Sequence, residues 1–230
     1  MDDDLVKGVP RAVHSNQGGI HDDLVAVVEK YQRSEFLKPV AQHTQDAFDA
    51  IAQEVQQHVE QQKQPLILDS CCGVGESTKV IAERFPEALV IGIDKSAARL
   101  AKNQAHRSQS TPDNMRLVQA DLNDFWRLAL NAGWRPERHF ILYPNPWPKK
   151  KHLQRRWHGS PVFPALVSLG GQMELRSNWL IYLQEFQQAL KVFGVSSEIH
   201  EIPQKSSPIT PFERKYQSTG QRLWQLQTVD

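Results

Sequence analysis

The chain has little of what marks an exported, metal-bound or membrane protein. Its 230 residues hold only two cysteines, Cys71 and Cys72, and these are adjacent. Neighbouring side chains on an extended strand point to opposite faces, so the pair makes a poor metal chelate and a poor disulfide. The nine histidines show no ligand spacing of the HxxxH kind, and no metal is expected. No apolar run approaches the ~20 residues of a membrane span. Met1 to Asp4 is acidic, the reverse of the basic-then-apolar layout of a signal peptide. A cytoplasmic place and no membrane partner are the expectations. An excess of one charge is missing too, since 27 Lys and Arg against 26 Asp and Glu leave +1. Any nucleic-acid role must therefore rest on a local basic patch.

What is present suits one domain with a sizeable core, 40% of the residues being hydrophobic. Residues 1–38 read as an N-terminal arm, polar and broken by Pro10 and Gly18-Gly19. A short helix is expected within it, built on Leu24, Val25, Val27, Val28 and Tyr31. From residue 39 to 230 the pattern is that of a folded domain. Pro39 opens a longer helix, because Phe48, Ile51, Ala52, Val55 and Val59 recur at steps of three and four. Short apolar runs then alternate with helix-length stretches. Strands are expected at 66–68, 89–93, 115–118, 140–143, 171–175, 198–202 and 222–226, with helices at 77–85, 96–108, 124–132 and 178–192. This is the pattern of an α/β fold, a mostly parallel seven-stranded sheet with helices on both faces and an antiparallel element near the end.

The densest chemistry follows the fourth strand. Pro144-Asn145-Pro146-Trp147-Pro148 places three prolines in five positions, which fixes φ and removes backbone donors. One polar side chain, Asn145, lies between two prolines, and the aromatic Trp147 follows. Lys149, Lys150, Lys151, Arg155 and Arg156 come next. Such a loop suits holding a flat polar base while gripping phosphates, although a proline-stiffened surface loop with solvated charges would look the same.

Other strand ends carry polar elements as well, where ligands bind in such sheets. The first strand runs into Asp69, then Gly73-Val74-Gly75, with Thr78 where a third glycine would complete a GxGxxG turn. Asp94 ends the second strand, roughly 20 residues on, the spacing of a carboxylate that binds ribose hydroxyls. Asp121 ends the third, beside the same crevice. Each acid taken singly could merely cap the helix after it.

With these residues assembled, the chain resembles the S-adenosylmethionine-dependent methyltransferases of Rossmann-like fold, and most of all the bacterial tRNA (guanine-N(7)-)-methyltransferase family. The likeness runs from about Pro65 to the C-terminus. It rests on Asp69 with Gly73 and Gly75, on Gly92-Ile93-Asp94, on the proline loop with His152, Arg155 and Arg156, and on Thr210-Pro211-Phe212-Glu213-Arg214-Lys215 with Gly220. The resemblance implies a cofactor, S-adenosyl-L-methionine, lined by Asp69, Asp94 and Asp121 with Gly73 and Gly75 beneath its methionyl part. It implies tRNA as partner, with Lys149, Arg155, Arg156, Asn178, Thr210 and Glu213 at the substrate, and Asn145 in the place of the catalytic carboxylate. The oligomeric state, monomer or homodimer, stays open.

The chain departs from the family pattern at four points. Asn145 and Asn178 stand where the family usually has aspartate, Cys71 stands where a glycine is common, and the arm has Arg11 as its only arginine before Arg33. Asparagine accepts with one atom and adds a donor. Two alternatives to guanine-N(7) transfer therefore stay open: an exocyclic amine or other acceptor, which an Asn-Pro-aromatic loop also suits, and a catalytically lapsed RNA-binding protein.

Overall fold

A computed structural model describes residues 13–61, 63–105 and 111–229. Seven strands form one sheet: β1 (Leu66–Ser70), β2 (Leu89–Asp94), β3 (Met115–Gln119), β4 (Arg138–Leu142), β5 (Gln172–Ser177), β6 (Ser197–Ile202) and β7 (Leu223–Thr228). Their order is β3-β2-β1-β4-β5-β7-β6. The first five run parallel, while β7 is antiparallel to both β5 and β6. Every residue of β1 and β2 is buried, which is why they read as unbroken apolar runs. The chain leaves β1 towards β2 on one side and returns at β4 on the other. Their carboxyl ends therefore flank a switch point, where open α/β sheets bind ligands.

Eight helices cover or flank the sheet among the described residues: α1 (Leu24–Gln32), α2 (Gln42–Gln56), α3 (Glu76–Arg84), α4 (Ala97–Ala105), α5 (Leu122–Asn131), α6 (Phe163–Leu169), α7 (Leu180–Val192) and α8 (Pro211–Gln217). Side chains alternate across a strand, and the two faces differ. Leu66 and Leu68 join a large cluster with residues of α1, α2, α5, α6 and α7. Ile67, Val90 and Phe140 face the other way and meet Ile81 and Ala82 of α3.

The structure adjusts several expectations. Pro39 lies outside α2, whose first residue is Gln42. Positions 106–108 of the expected fourth helix lie outside the described residues. The fifth strand begins at Gln172 because Gly170 and Gly171 hold a left-handed turn before it. A Cβ on Gly171 would come within 2.5 Å of the Pro136 carbonyl oxygen. Helices α6 and α8, and the 3-10 turns at Lys150–Arg155 and Trp157–Gly159, had no counterpart in the periodicity reading. They are too short for an apolar repeat to declare itself.

The N-terminal stretch differs most. Residues 1–12 lie outside the described ones, but residues 13–38 do not stand clear of the domain as an arm would. Leu24 and Val28 are buried in the main cluster, and α1 packs on α6 and α7. Ahead of it, Gln17 and His21 reach Glu185, a carboxylate fully buried on α7. Gln17 Nε2 and the His21 backbone N–H donate to Oε1, the latter at 2.9 Å. Arg156 Nη1 donates to Oε2 at 2.5 Å, and His158 Nε2 lies 2.9 Å from the same atom. Burial works to raise the pKa of Glu185, but its bonds to His158 and the Arg156 charge outweigh that and hold it down at about 2. Burial keeps His158 neutral, so Arg156 is the counter-charge.

Removing one partner of such a pair strands a buried charge. Glu185→Gln is expected to lower unfolding stability by about 3–5 kcal/mol, read from the denaturant midpoint. A double variant, Glu185→Leu with Arg156→Met, should lose less than Glu185→Gln alone, because no charge is left unpaired.

Candidate active site

The crevice begins where β1 ends. Asp69 is fully buried, and the hydroxyls of Ser77 and Thr78 donate to its Oδ2 at 2.6 and 2.7 Å. Its Oδ1 is buried without a partner among the described residues. Burial pushes the Asp69 carboxyl up to about 6 against the pull of those two hydroxyls. Thr78 can reach it because Gly92 on β2 leaves room: a Cβ there would meet Thr78 Oγ1 at 2.3 Å. The third glycine of a GxGxxG turn serves close helix–strand packing, and here Gly92 on the neighbouring strand serves it instead.

Between β1 and α3 the backbone passes through left-handed φ at Cys71 (68°), Gly73 (60°) and Gly75 (77°). That explains why glycine is common at position 71, where a side chain costs roughly 1–2 kcal/mol. Burial raises the Cys71 thiol to about 12, so it is no nucleophile at neutral pH. Beyond the Gly73 Cα there is open space, with nothing within 4 Å of an added Cβ. Asp94 closes this turn. Its Oδ2 accepts from the Gly73 N–H at 3.0 Å, its Oδ1 accepts from the Ser96 N–H at 2.8 Å, and Arg99 lies 3.6 Å away. Asp121 caps α5, accepting from the Asn123 N–H at 2.9 Å and from Asn123 Nδ2 at 2.8 Å, and it remains partly exposed. Asp69, Asp94 and Asp121 thus end three adjacent strands, as the sequence suggested, and each is also tied into its own turn.

The fourth wall is the proline loop. Tyr143 and Trp147 both take left-handed φ, 51° and 44°, in a loop that prolines hold. Asn145 is exposed, and its Oδ1 accepts from the Trp147 N–H at 3.3 Å. The Trp147 carbonyl accepts from Arg156 Nε and Nη2 at 3.2 and 3.1 Å. Arg155 lies over the Trp147 ring, 4.8 Å from its centre, and His152 meets its edge. Lys149, Lys151 and Arg155 are exposed, whereas Lys150 pairs with Asp22 at 2.6 Å.

Three residues expected at the substrate face inward instead. Arg156 is fully buried, and its N–H groups are taken by Glu185, by Gln17 Oε1 at 3.0 Å and by loop carbonyls. It builds the loop rather than offering a charge to a phosphate. Thr210 and Glu213 are buried as well. Thr210 Oγ1 accepts from the Glu213 N–H at 2.9 Å to cap α8, and Glu213 pairs with Arg176 at 2.8 Å and accepts from the Ile209 N–H. Phe212, Arg214 and Lys215 are the exposed members of that segment, and Phe212 stacks on Tyr216, which in turn meets Tyr143. Asn178 is partly exposed at the end of β5 and donates to Gln221 Oε1 at 3.0 Å. Sequence reasoning passed over Glu185, yet a signal existed: an acid on the same helical stripe as Tyr182, Phe186 and Ala189.

Residues 63–226 match the sequence profile of a family described as "Putative methyltransferase" (Methyltransf_4). The chain belongs to that family. Among curated proteins it is similar to the tRNA (guanine-N(7)-)-methyltransferase of Treponema pallidum (strain Nichols), 26% identical over 165 residues, 70% of this chain and 66% of that protein. The chain thus matches just under two thirds of that relative's length. The protein of the same name from Neisseria meningitidis serogroup B is 27% identical over 169 residues, 70% of each chain. Among solved structures it is similar to the 16S rRNA methyltransferase KamB, with TM-score 0.58 and 16% identity over 77% of this chain and 93% of that one. The 16S rRNA (adenine(1408)-N(1))-methyltransferase from Catenulisporales acidiphilia gives 0.53 and 14% over 76% and 92%. These two likenesses carry the Rossmann-like methyltransferase fold.

The cofactor of this family is S-adenosyl-L-methionine, and the crevice fits it. A buried carboxylate oxygen without a donor would accept from the methionyl ammonium, and the space beside Gly73 is open. A cation binds the ionised form of Asp69, whose pKa is raised to about 6. The Kd for S-adenosylmethionine, measured by titration calorimetry, is therefore expected to rise below that pH, by up to about tenfold per unit. Asp69→Asn should flatten this dependence and weaken binding throughout.

Proposed function

We propose that the protein transfers a methyl group from S-adenosylmethionine to N(7) of a guanine in tRNA, in the cytoplasm. The observation that carries the reading is the pairing at the switch point of an acid-lined cofactor crevice, after β1 and β2, with a rigid, cation-flanked aromatic loop after β4. The names of the curated relatives supply the acceptor. When bound, S-adenosylmethionine supplies an electrophilic methyl on a sulfonium, and the C–S electron pair stays on sulfur as the methyl leaves. Guanine N(7) has a lone pair and no proton, so no side chain has to act as a base. The chain's task is to align the base and keep water out, which proximity and preorganised polarity do well. Trp147, held by Arg155 on its face, offers a flat wall to a base, and Lys149, Lys151 and Arg155 offer charge to the backbone phosphates around it. No helix among the described residues is long and apolar enough to cross a membrane.

Transfer to an exocyclic amine is the second reading, since an Asn-Pro-aromatic loop suits it. It needs the asparagine oxygen to accept from the target amine, and in this loop the Trp147 N–H takes one of that oxygen's two lone pairs and leaves one for an amine. A binding protein without activity would have no need of a crevice that fits the cofactor.

Incubation with labelled S-adenosylmethionine and unmodified total tRNA, then digestion and nucleoside mass analysis, should yield N(7)-methylguanosine. A methylated amine would support the second reading, and no product with bound cofactor the third. Asp94→Ala should weaken cofactor binding about tenfold or more while RNA affinity stays within about twofold, because the acid braces the glycine turn and lies off the cationic loop. RNA affinity itself should fall with salt at a logarithmic slope of about −2 to −3, as expected for roughly three neutralised phosphates. A flat response would remove the patch from the reading.

A further inference from the structure

Asn145 differs from the aspartate its position usually carries by one atom that matters, and the loop decides which atom faces out. The Trp147 N–H can only donate, so the side-chain atom 3.3 Å from it is the amide oxygen. That leaves Nδ2 pointing away from the turn, exposed and without a partner among the described residues. Trp147 is fixed through its carbonyl by Arg156, itself locked to Glu185, and through its ring by Arg155. An aspartate making the same turn would present a carboxylate oxygen, an acceptor. This chain presents two N–H donors.

We infer that Asn145 is the specificity-determining residue of the acceptor site and reads the O6 carbonyl of guanine with its Nδ2, next to the N(7) that takes the methyl. The inference rests on the guanine-N(7) reading. O6 and N7 are the two acceptors that guanine shows along its major-groove edge, and an amide donor on O6 leaves the adjacent N7 lone pair free. A carboxylate in the same place would repel that edge and would bind instead the N1–H and 2-amino donors on the opposite side of the base. The contact orients the base rather than activating it, since a donor on O6 withdraws electron density from the ring. Adenine is rejected by the same atom, because its 6-amino group puts donor against donor.

Base analogues in the unaltered enzyme test this without risk to folding. The probe is tRNA assembled with a single analogue at the guanosine that the enzyme methylates. Inosine keeps O6, N1–H and N7 and lacks the 2-amino group, whereas 2,6-diaminopurine keeps the 2-amino group and N7, replaces O6 by an amine and with it loses the N1–H. Transfer to inosine should stay within about threefold of guanosine, and transfer to diaminopurine should fall about tenfold or more, the worth of one lost and one opposed hydrogen bond. Asn145→Asp should narrow that gap, because a carboxylate facing the same edge repels O6 of inosine and accepts from the 6-amino group of diaminopurine. Wild-type enzyme that keeps diaminopurine and rejects inosine overturns the assignment to Asn145 while leaving the function reading standing. Absence of N(7)-methylguanosine from tRNA with its natural guanosine overturns the function reading, and this inference with it.

Discussion

A single buried carboxylate ties the N-terminal segment, the proline loop and its basic run to α7. Glu185 lies inside α7 and gathers Gln17 and His21 from the N-terminal segment, Arg156 from the basic run and His158 from the turn after it. A buried ion pair of this sort rarely adds stability over an apolar one, but it fixes geometry through the hydrogen bonds it gathers. Here it fixes the loop. Arg156, held by Glu185, donates to the carbonyls of Trp147 and Lys149. The N-terminal segment closes over the same place, with Ser15 donating to the Pro148 carbonyl and Asn16 accepting from the Lys150 N–H. Turning one arginine inward is what leaves Lys149, Lys151 and Arg155 displayed on a rigid frame.

The crevice on the other side of the switch point rests on a different economy of space. Asp69 is kept from water yet half satisfied, which raises its pKa and leaves one oxygen waiting for a cation. The hydroxyls that satisfy the other half come from the first turn of α3, and α3 approaches closely enough only because Gly92 has no side chain. Acceptors therefore line the crevice after β1 and β2, and donors line the loop after β4 along the basic run. That division matches a reaction that brings a positively charged donor to an electron-rich base surrounded by phosphates.

Much of this was legible in the residues. The seven strands and the antiparallel end follow from apolar runs and helix-length spacers, because parallel strands buried on both faces leave an unbroken pattern. The strand-end acids, the glycine turn and the proline loop were visible because each departs from its surroundings over a few consecutive positions. What stayed hidden were the partners. Arg156 meets Gln17 across 139 positions and Glu185 across 29, and Arg176 meets Glu213 across 37. A charged residue in a run of charges gives no local sign that it will be buried, and Thr210 with Glu213 has the same spelling as helix cap or as substrate contact.

The sequence by itself thus determined the architecture, the acids and glycine turn at the strand ends and the position of the proline loop, all of which are written in local patterning and spacing. Only the tertiary structure decided which side chains remain to meet a substrate. It turned Arg156, Thr210 and Glu213 inward, left Phe212 outward, brought Leu24 and Val28 of the N-terminal segment into the core and set the Asn145 oxygen on a backbone N–H. The reason is physical: burial and hydrogen-bond partnership belong to segments meeting in space, and those meetings are not encoded at any one place along the chain.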